Sequence, residues 1–229
     1  MKKIIALLLV STLTTSILYA QCDQLLDYNE GTTWEYTNYD KKGKVVGKSV
    51  QKVVDMSTTA NGLEVTLSTV ITTDGEEMPP MEMTLICKDG VIYYDMKKFV
   101  PDQYLNGEDD GPEIKIEGNN LEMPTNMKAG DVLNDASVKM SIGAADSPIP
   151  INMTVDIINR KVEAEENLNT PAGDFNCFVI TQSVKTKLLM TFTMDSKEWY
   201  TPGVGMIKSE TYNKKGKLTD YSVLTGYTK

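Results

Sequence analysis

Along most of the chain apolar and polar side chains alternate with a period of two, the spacing that turns one set toward a core and the other toward water in a β-strand. From Thr32 to Tyr39, Trp34, Tyr36 and Asn38 alternate with Thr33, Glu35 and Thr37, and from Gly62 to Thr73, Leu63, Val65, Leu67, Thr69 and Ile71 share one face. With Lys44–Met56 between them, these segments predict an opening meander. Met81–Cys87 and Val91–Tyr94 predict a hairpin across Lys88-Asp89-Gly90, where Asp-Gly supplies the positive φ of a tight turn. Further strands are expected at Glu113–Glu117, Leu121–Met123, Ser137–Ile142, Ile151–Glu163, Phe175–Ser183, Leu188–Met194, Glu198–Tyr200, Met206–Tyr212 and Leu218–Tyr227.

One stretch departs from this period. Met96, Phe99, Tyr104 and Leu105 are spaced as in a short helix near 95–105, interrupted by Pro101, and an acidic loop follows from Asn106 to Pro112. Many short strands with turn residues between them, and no linker-like composition, predict an all-β fold: a single curled antiparallel sheet, either a spiral β-roll or a half-open barrel. Tyr39-Asp40-Lys41-Lys42-Gly43-Lys44-Val45 is echoed by Tyr212-Asn213-Lys214-Lys215-Gly216-Lys217-Leu218. Either two hairpins converge on the same exposed turn, or they mark equivalent ends of a curved sheet.

Residues 1–20 read as a signal peptide, with Lys2 and Lys3 at the start, an apolar centre from Ile4 to Val10, and cleavage expected after Ala20. The apolar run is too short to remain as a transmembrane anchor. Residues 21–229 are then expected to form one exported domain, periplasmic or secreted. Cys22 raises lipid anchoring, but Tyr19-Ala20-Gln21 departs from the residues that lipoprotein processing favours, so soluble export is preferred.

Charge and composition narrow the chemistry further. The formal net charge is −9, and −11 once Lys2 and Lys3 leave with the leader, which argues against nucleic acid and anionic headgroups as partners. With 0 His, nucleophile–imidazole arrangements and imidazole metal sites are absent, and Arg160 is the only arginine, so no arginine cluster can hold phosphate. No cofactor motif is present. Asn106–Glu117 matches the twelve-residue calcium-loop spacing without its flanking helices, and Met78, Met81 and Met83 could ligate Cu(I), but Met81 and Met83 share one strand face and read better as core; no metal is expected. Asp195, Glu198 and Glu210 are the candidate carboxylates for an acid/base pair, with a solvated strand face as the plainer account. No catalytic set is assigned.

Three cysteines permit one bond and one leftover: Cys22–Cys87, Cys22–Cys177 or Cys87–Cys177. Cys22, Gly31-Thr32-Thr33-Trp34-Glu35-Tyr36, Cys87-Lys88-Asp89-Gly90, Gly130-Asp131-Val132-Leu133, Arg160-Lys161-Val162-Glu163, Thr170-Pro171-Ala172-Gly173-Asp174-Phe175 and Gly203-Val204-Gly205-Met206 together resemble the TapB-like branch of a domain-of-unknown-function superfamily of secreted proteins from diderm bacteria. The resemblance implies an exported, rolled antiparallel sheet and carries no activity with it. It also places Cys22 and Cys87 in matching motifs, which favours that pair; the bond would tether the N-terminal residues to the sheet.

The expected function is therefore a non-catalytic exported β-domain whose concave face binds an apolar or lipid-like small molecule, with Met140, Met153, Met190 and Met194 making that face adaptable. The alternative is a structural protein that docks an envelope partner.

Overall fold

The structure, a computed structural model, describes Cys22 and residues 28–95, 114–144 and 147–229. The expected helix near 95–105 and most of the Asn106–Glu117 loop lie outside the described residues. Within them the chain forms fourteen strands: β1 (Thr33–Asp40), β2 (Val45–Thr59), β3 (Gly62–Thr73), β4 (Glu76–Glu77), β5 (Met81–Lys88), β6 (Val91–Tyr94), β7 (Ile114–Gly118), β8 (Leu121–Pro124), β9 (Ala136–Ala144), β10 (Ser147–Thr170), β11 (Gly173–Lys187), β12 (Thr191–Thr201), β13 (Gly205–Asn213) and β14 (Leu218–Thr228).

All belong to one antiparallel sheet in the order β7-β9-β10-β11-β12-β13-β14-β1-β2-β3-β5-β6-β8, with the short β4 hung on β3. Hairpins connect most neighbours; among the pairs that are not consecutive in the chain, the one that decides the shape is β14 along β1, so the ends of the described chain meet in the middle of the sheet. The sheet curls without closing into a barrel. Its β8 edge returns toward β10, where the chain after β8 runs along the strand through Gly130 N–H to Val162 O (2.7 Å), Val162 N–H to Asp131 O (2.9 Å) and Leu133 N–H to Arg160 O (2.9 Å).

The core lies on the concave side, as the period-two pattern requires. Trp34, Val53, Val65, Leu67, Leu85, Ile92, Val162, Ile180, Ile207 and Leu224 are buried together there. Burying side chains of this size stabilises the fold by about 1.5–3 kcal/mol each, before the entropy of ordering them is subtracted. Cys22 and Cys87 are joined by a disulfide with 5.8 Å between their Cα atoms, while Cys177 is buried and free. Cys177, Val179 and Trp199 are buried on the opposite, convex side, where Val179 pairs directly with Trp199. Trp199 is shielded by Lys197 and Lys208, whose ammonium groups sit 4.4 and 4.5 Å from its ring centroid, and its indole N–H donates to Glu166 at 2.8 Å.

Three expectations are corrected. Leu188–Met194 and Glu198–Tyr200 are not separate strands: β12 runs unbroken from Thr191 to Thr201, and Leu188–Met190 forms the turn before it, with Leu188 N–H bonded to Met190 O at 3.1 Å. An apolar run looked like a strand because Leu189 and Met190 are apolar at an exposed tip, 96% and 67% accessible. Of the two readings of the echoed hairpins, the one that made them equivalent ends of the curved sheet is set aside. The hairpins lie side by side, since β13-β14 and β1-β2 are adjacent; Tyr39 stacks on Tyr221 at 4.8 Å and Lys41 N–H bonds Thr219 O. Finally Met81 shares the face of Met83 but is 45% exposed, because the start of β5 extends beyond the covered part of the concave surface.

Candidate functional site

The curl leaves a cavity of about 520 Å³ on the concave face, within the range of pockets that hold small-molecule ligands. Alternation along each strand supplies its wall. Trp34, Tyr36 and Asn38 come from β1, Ser49 and Gln51 from β2, Leu67, Thr69 and Ile71 from β3, Met83 and Leu85 from β5, and Tyr94 from β6. Leu121 and Met123 of β8, Glu198 and Tyr200 of β12, Gly205 and Met206 of β13, Ser222 of β14, and Tyr28 and Val204 from loops complete it.

The aromatic side is held rigidly. Trp34 donates its indole N–H to Val204 O at 2.8 Å and Tyr36 its hydroxyl to Met206 O at 2.9 Å, two bonds that reach across β14 on the inner face. Tyr28 meets Trp34 edge to face at 4.8 Å. The hydroxyl of Tyr200 is buried in the wall and has no hydrogen-bond partner among the described residues, so within them it is an unfilled polar position. Burial pushes the phenols of Tyr28 and Tyr200 well above their usual range; it pushes Tyr94 up to about 12, with the Glu198 carboxylate adding to the shift.

Glu198 is the one charged side chain among the described residues that line the cavity. Behind it runs a relay: Arg160 Nε donates to Gln182 Oε1 at 3.1 Å, and Gln182 Nε2 donates to Glu198 Oε1 at 2.8 Å. Arg160 Nη1 also donates to Glu122 O at 2.9 Å and Asn134 O at 2.7 Å, so a single guanidinium joins β8, the segment before β9, and β11. A β-bulge aims it there. Ile158 faces Ser183 and Lys161 faces Thr181, leaving Asn159 and Arg160 opposite Gln182, and Asn159 takes φ 58°, a left-handed conformation that asparagine tolerates. Burial raises the Glu198 pKa and Arg160 opposes the rise; burial lowers that of Arg160 and Glu198 opposes the fall.

The three candidate carboxylates do not converge. Glu198 faces the cavity, whereas Asp195 and Glu210 belong to the opposite face, by alternation along β12 and by the pairing of Lys197 with Glu210. Asp195 accepts from Ser183 Oγ at 2.7 Å, and Glu210 pairs with Lys208 at 2.6 Å and accepts from the Tyr212 hydroxyl. No group of three or more Cys, Asp or Glu among the described residues is placed to hold a metal. Of the methionines expected on the binding face, none lines the cavity, and Met190 sits in the exposed turn; Met83, Met123 and Met206 take that role. The alternation of Trp34, Tyr36 and Asn38 was the sequence signal for the wall, and nothing short of tertiary structure gathers it with Glu198.

Two solved structures share this fold. One is an inferred exported protein with a YmcC-like fold from Bacteroides fragilis, 24% identical with a TM-score of 0.68, covering 90% of this chain and 99% of that one. The other is an inferred lipoprotein from Parabacteroides distasonis, 26% identical with a TM-score of 0.69, covering 87% of this chain and 96% of that one. No curated protein matches the chain at a significant level. The family profile that matches spans residues 29–224, through the strands that build the cavity, and it reaches the family as a whole without singling out the TapB-like branch. The chain belongs to the DUF3108-like family.

Proposed function

We propose that this protein is an exported, non-catalytic binder of a small amphipathic molecule held in the concave cavity. The observation that carries the reading is the cavity itself: about 520 Å³ with an apolar and aromatic wall, a polar set formed by Asn38, Ser49, Gln51, Thr69 and Ser222, and the Tyr200 hydroxyl, which has no partner among the described residues. Water against such a wall is poorly satisfied, and a ligand that displaces it gains affinity without new polar contacts. The disulfide supports an oxidising compartment. It also engages the Cys22 sulfur, the atom that lipid anchoring would alkylate, which supports export without an anchor even though one structural neighbour is described as a lipoprotein.

Native mass spectrometry of protein purified from the periplasm tests this reading. An adduct of small-molecule mass, lost when Leu67 is replaced by Trp to fill the cavity, is the expected result; bare protein from every preparation, together with no uptake of added amphiphiles, refutes it. A docking role in the envelope draws on a different feature, the exposed Leu188, Leu189, Met190 and Phe192 at the β11–β12 turn. Under that role, replacing Leu189 and Met190 by Ser abolishes co-sedimentation with envelope proteins and leaves the adduct intact.

A further inference from the structure

We infer that the cavity selects an amphiphile bearing an ammonium group, its cation seated against Glu198 and the surrounding aromatic faces; this rests on the cavity-binding reading above. Tyr28, Trp34, Tyr36, Tyr94 and Tyr200 contribute five rings to the lining of one cavity, together with Glu198, whose carboxylate acts electrostatically on Tyr94. Aromatic faces attract cations through their quadrupoles, most strongly when both are withdrawn from water, and aromatic enclosures beside a carboxylate are the usual solution for binding substituted ammonium groups.

The charge inventory points the same way. Among the described residues no lysine or arginine lines the cavity, and the nearest guanidinium, that of Arg160, already donates to Gln182 Oε1, Glu122 O and Asn134 O behind the wall. A fatty acid or phosphate headgroup would therefore lose its hydration beside a carboxylate, with no cation among the described lining residues to meet it. An ammonium group gains instead. Gln182 Nε2 holds Glu198 Oε1 at 2.8 Å and orients the carboxylate, and the buried Tyr200 hydroxyl offers an acceptor for a ligand N–H.

Calorimetric titration of the full chain with four ten-carbon probes below their micellar concentrations separates the possibilities. Decylamine and decyltrimethylammonium present the cation with and without N–H donors, decanol presents a neutral head, and decanoate an anionic one. Both ammonium probes are expected to bind about tenfold or more tighter than decanol, with decanoate weakest. In Glu198→Gln, shown to be folded by its circular dichroism spectrum, the advantage of the ammonium probes over decanol disappears; an advantage kept in the folded variant overturns the inference. Equal affinity for all four, or a preference for decanoate, overturns the inference and leaves the apolar-cavity reading standing. Binding of none of the four removes both. The ranking on the unsubstituted protein decides the matter even where the variant fails to fold.

Discussion

Replacing Arg160 by Ala removes a buried cation that donates three hydrogen bonds, two of them across the seam where the β8 edge returns to β10. Glu122 O, Asn134 O and Gln182 Oε1 are left without that donor, and Glu198 loses its nearest positive charge. Hydrogen bonds from a charged donor contribute about 1.5–3 kcal/mol each, but they are not additive, and breaking a buried charged network by deleting one member costs about 3–5 kcal/mol. For a chain of this length that corresponds to a fall in Tm of about 6–20 °C. Urea denaturation measures the total, and native-state hydrogen exchange locates it. Protection should drop first at the amides of Gly130, Leu133 and Val162, which knit the seam, while amides of β1 and β14 keep theirs. Arg160→Lys should recover less than half of the loss, since an ammonium cannot reproduce the planar fork. Combining Arg160→Ala with Glu198→Gln should cost less than the sum of the two, because the second change removes the charge left unpaired by the first. A loss below about 1 kcal/mol, or loosening spread evenly over the sheet, would refute the claim that this one side chain clasps the curl.

The raised pKa of Glu198 sets a sign for pH dependence. Between the ordinary value of 4.5 and the raised folded value the folded carboxyl keeps a proton that the unfolded chain has released, so its contribution is fully present below 4.5 and is lost as pH rises through the folded value, above which Glu198 is a carboxylate. The stability difference between the unsubstituted protein and Glu198→Gln should fall across that window by at most about 1.4 kcal/mol per pH unit, read from urea midpoints at each pH; a flat difference would place Glu198 in water. Removing the disulfide in Cys22→Ser/Cys87→Ser, whose partners lie 65 residues apart, should lower stability by about 4 kcal/mol in the chain-entropy treatment, and a change under 1 kcal/mol would show that the tether constrains little.

The strands were legible wherever one face meets the core and the other meets water. Gly62–Thr73 matched β3 at both ends, and Asp89 and Gly90 take φ 51° and 76° in the turn their sequence predicts. Legibility failed where exposure, not period, distinguished two readings. Leu188–Met190 is as apolar as a core strand and lies in a turn, and β10 continues to Thr170 beyond the expected Glu163 because its partner β11 continues with it. The carboxylates show a different limit. Asp195, Glu198 and Glu210 are equivalent as text, and only register sends one into the cavity and two to the opposite face.

The sequence by itself determined the period-two pattern and with it an antiparallel sheet, the tight turns, and the absence of imidazole chemistry, because these depend on near neighbours along the chain or on composition alone. Tertiary structure decided which strands meet: the pairing of β1 with β14, the neighbouring echo hairpins, and the bulge that turns Arg160 inward beside Gln182 and Glu198. Those contacts join residues up to about two hundred positions apart, and their energy comes from burial and hydrogen bonds that exist only after the sheet has curled.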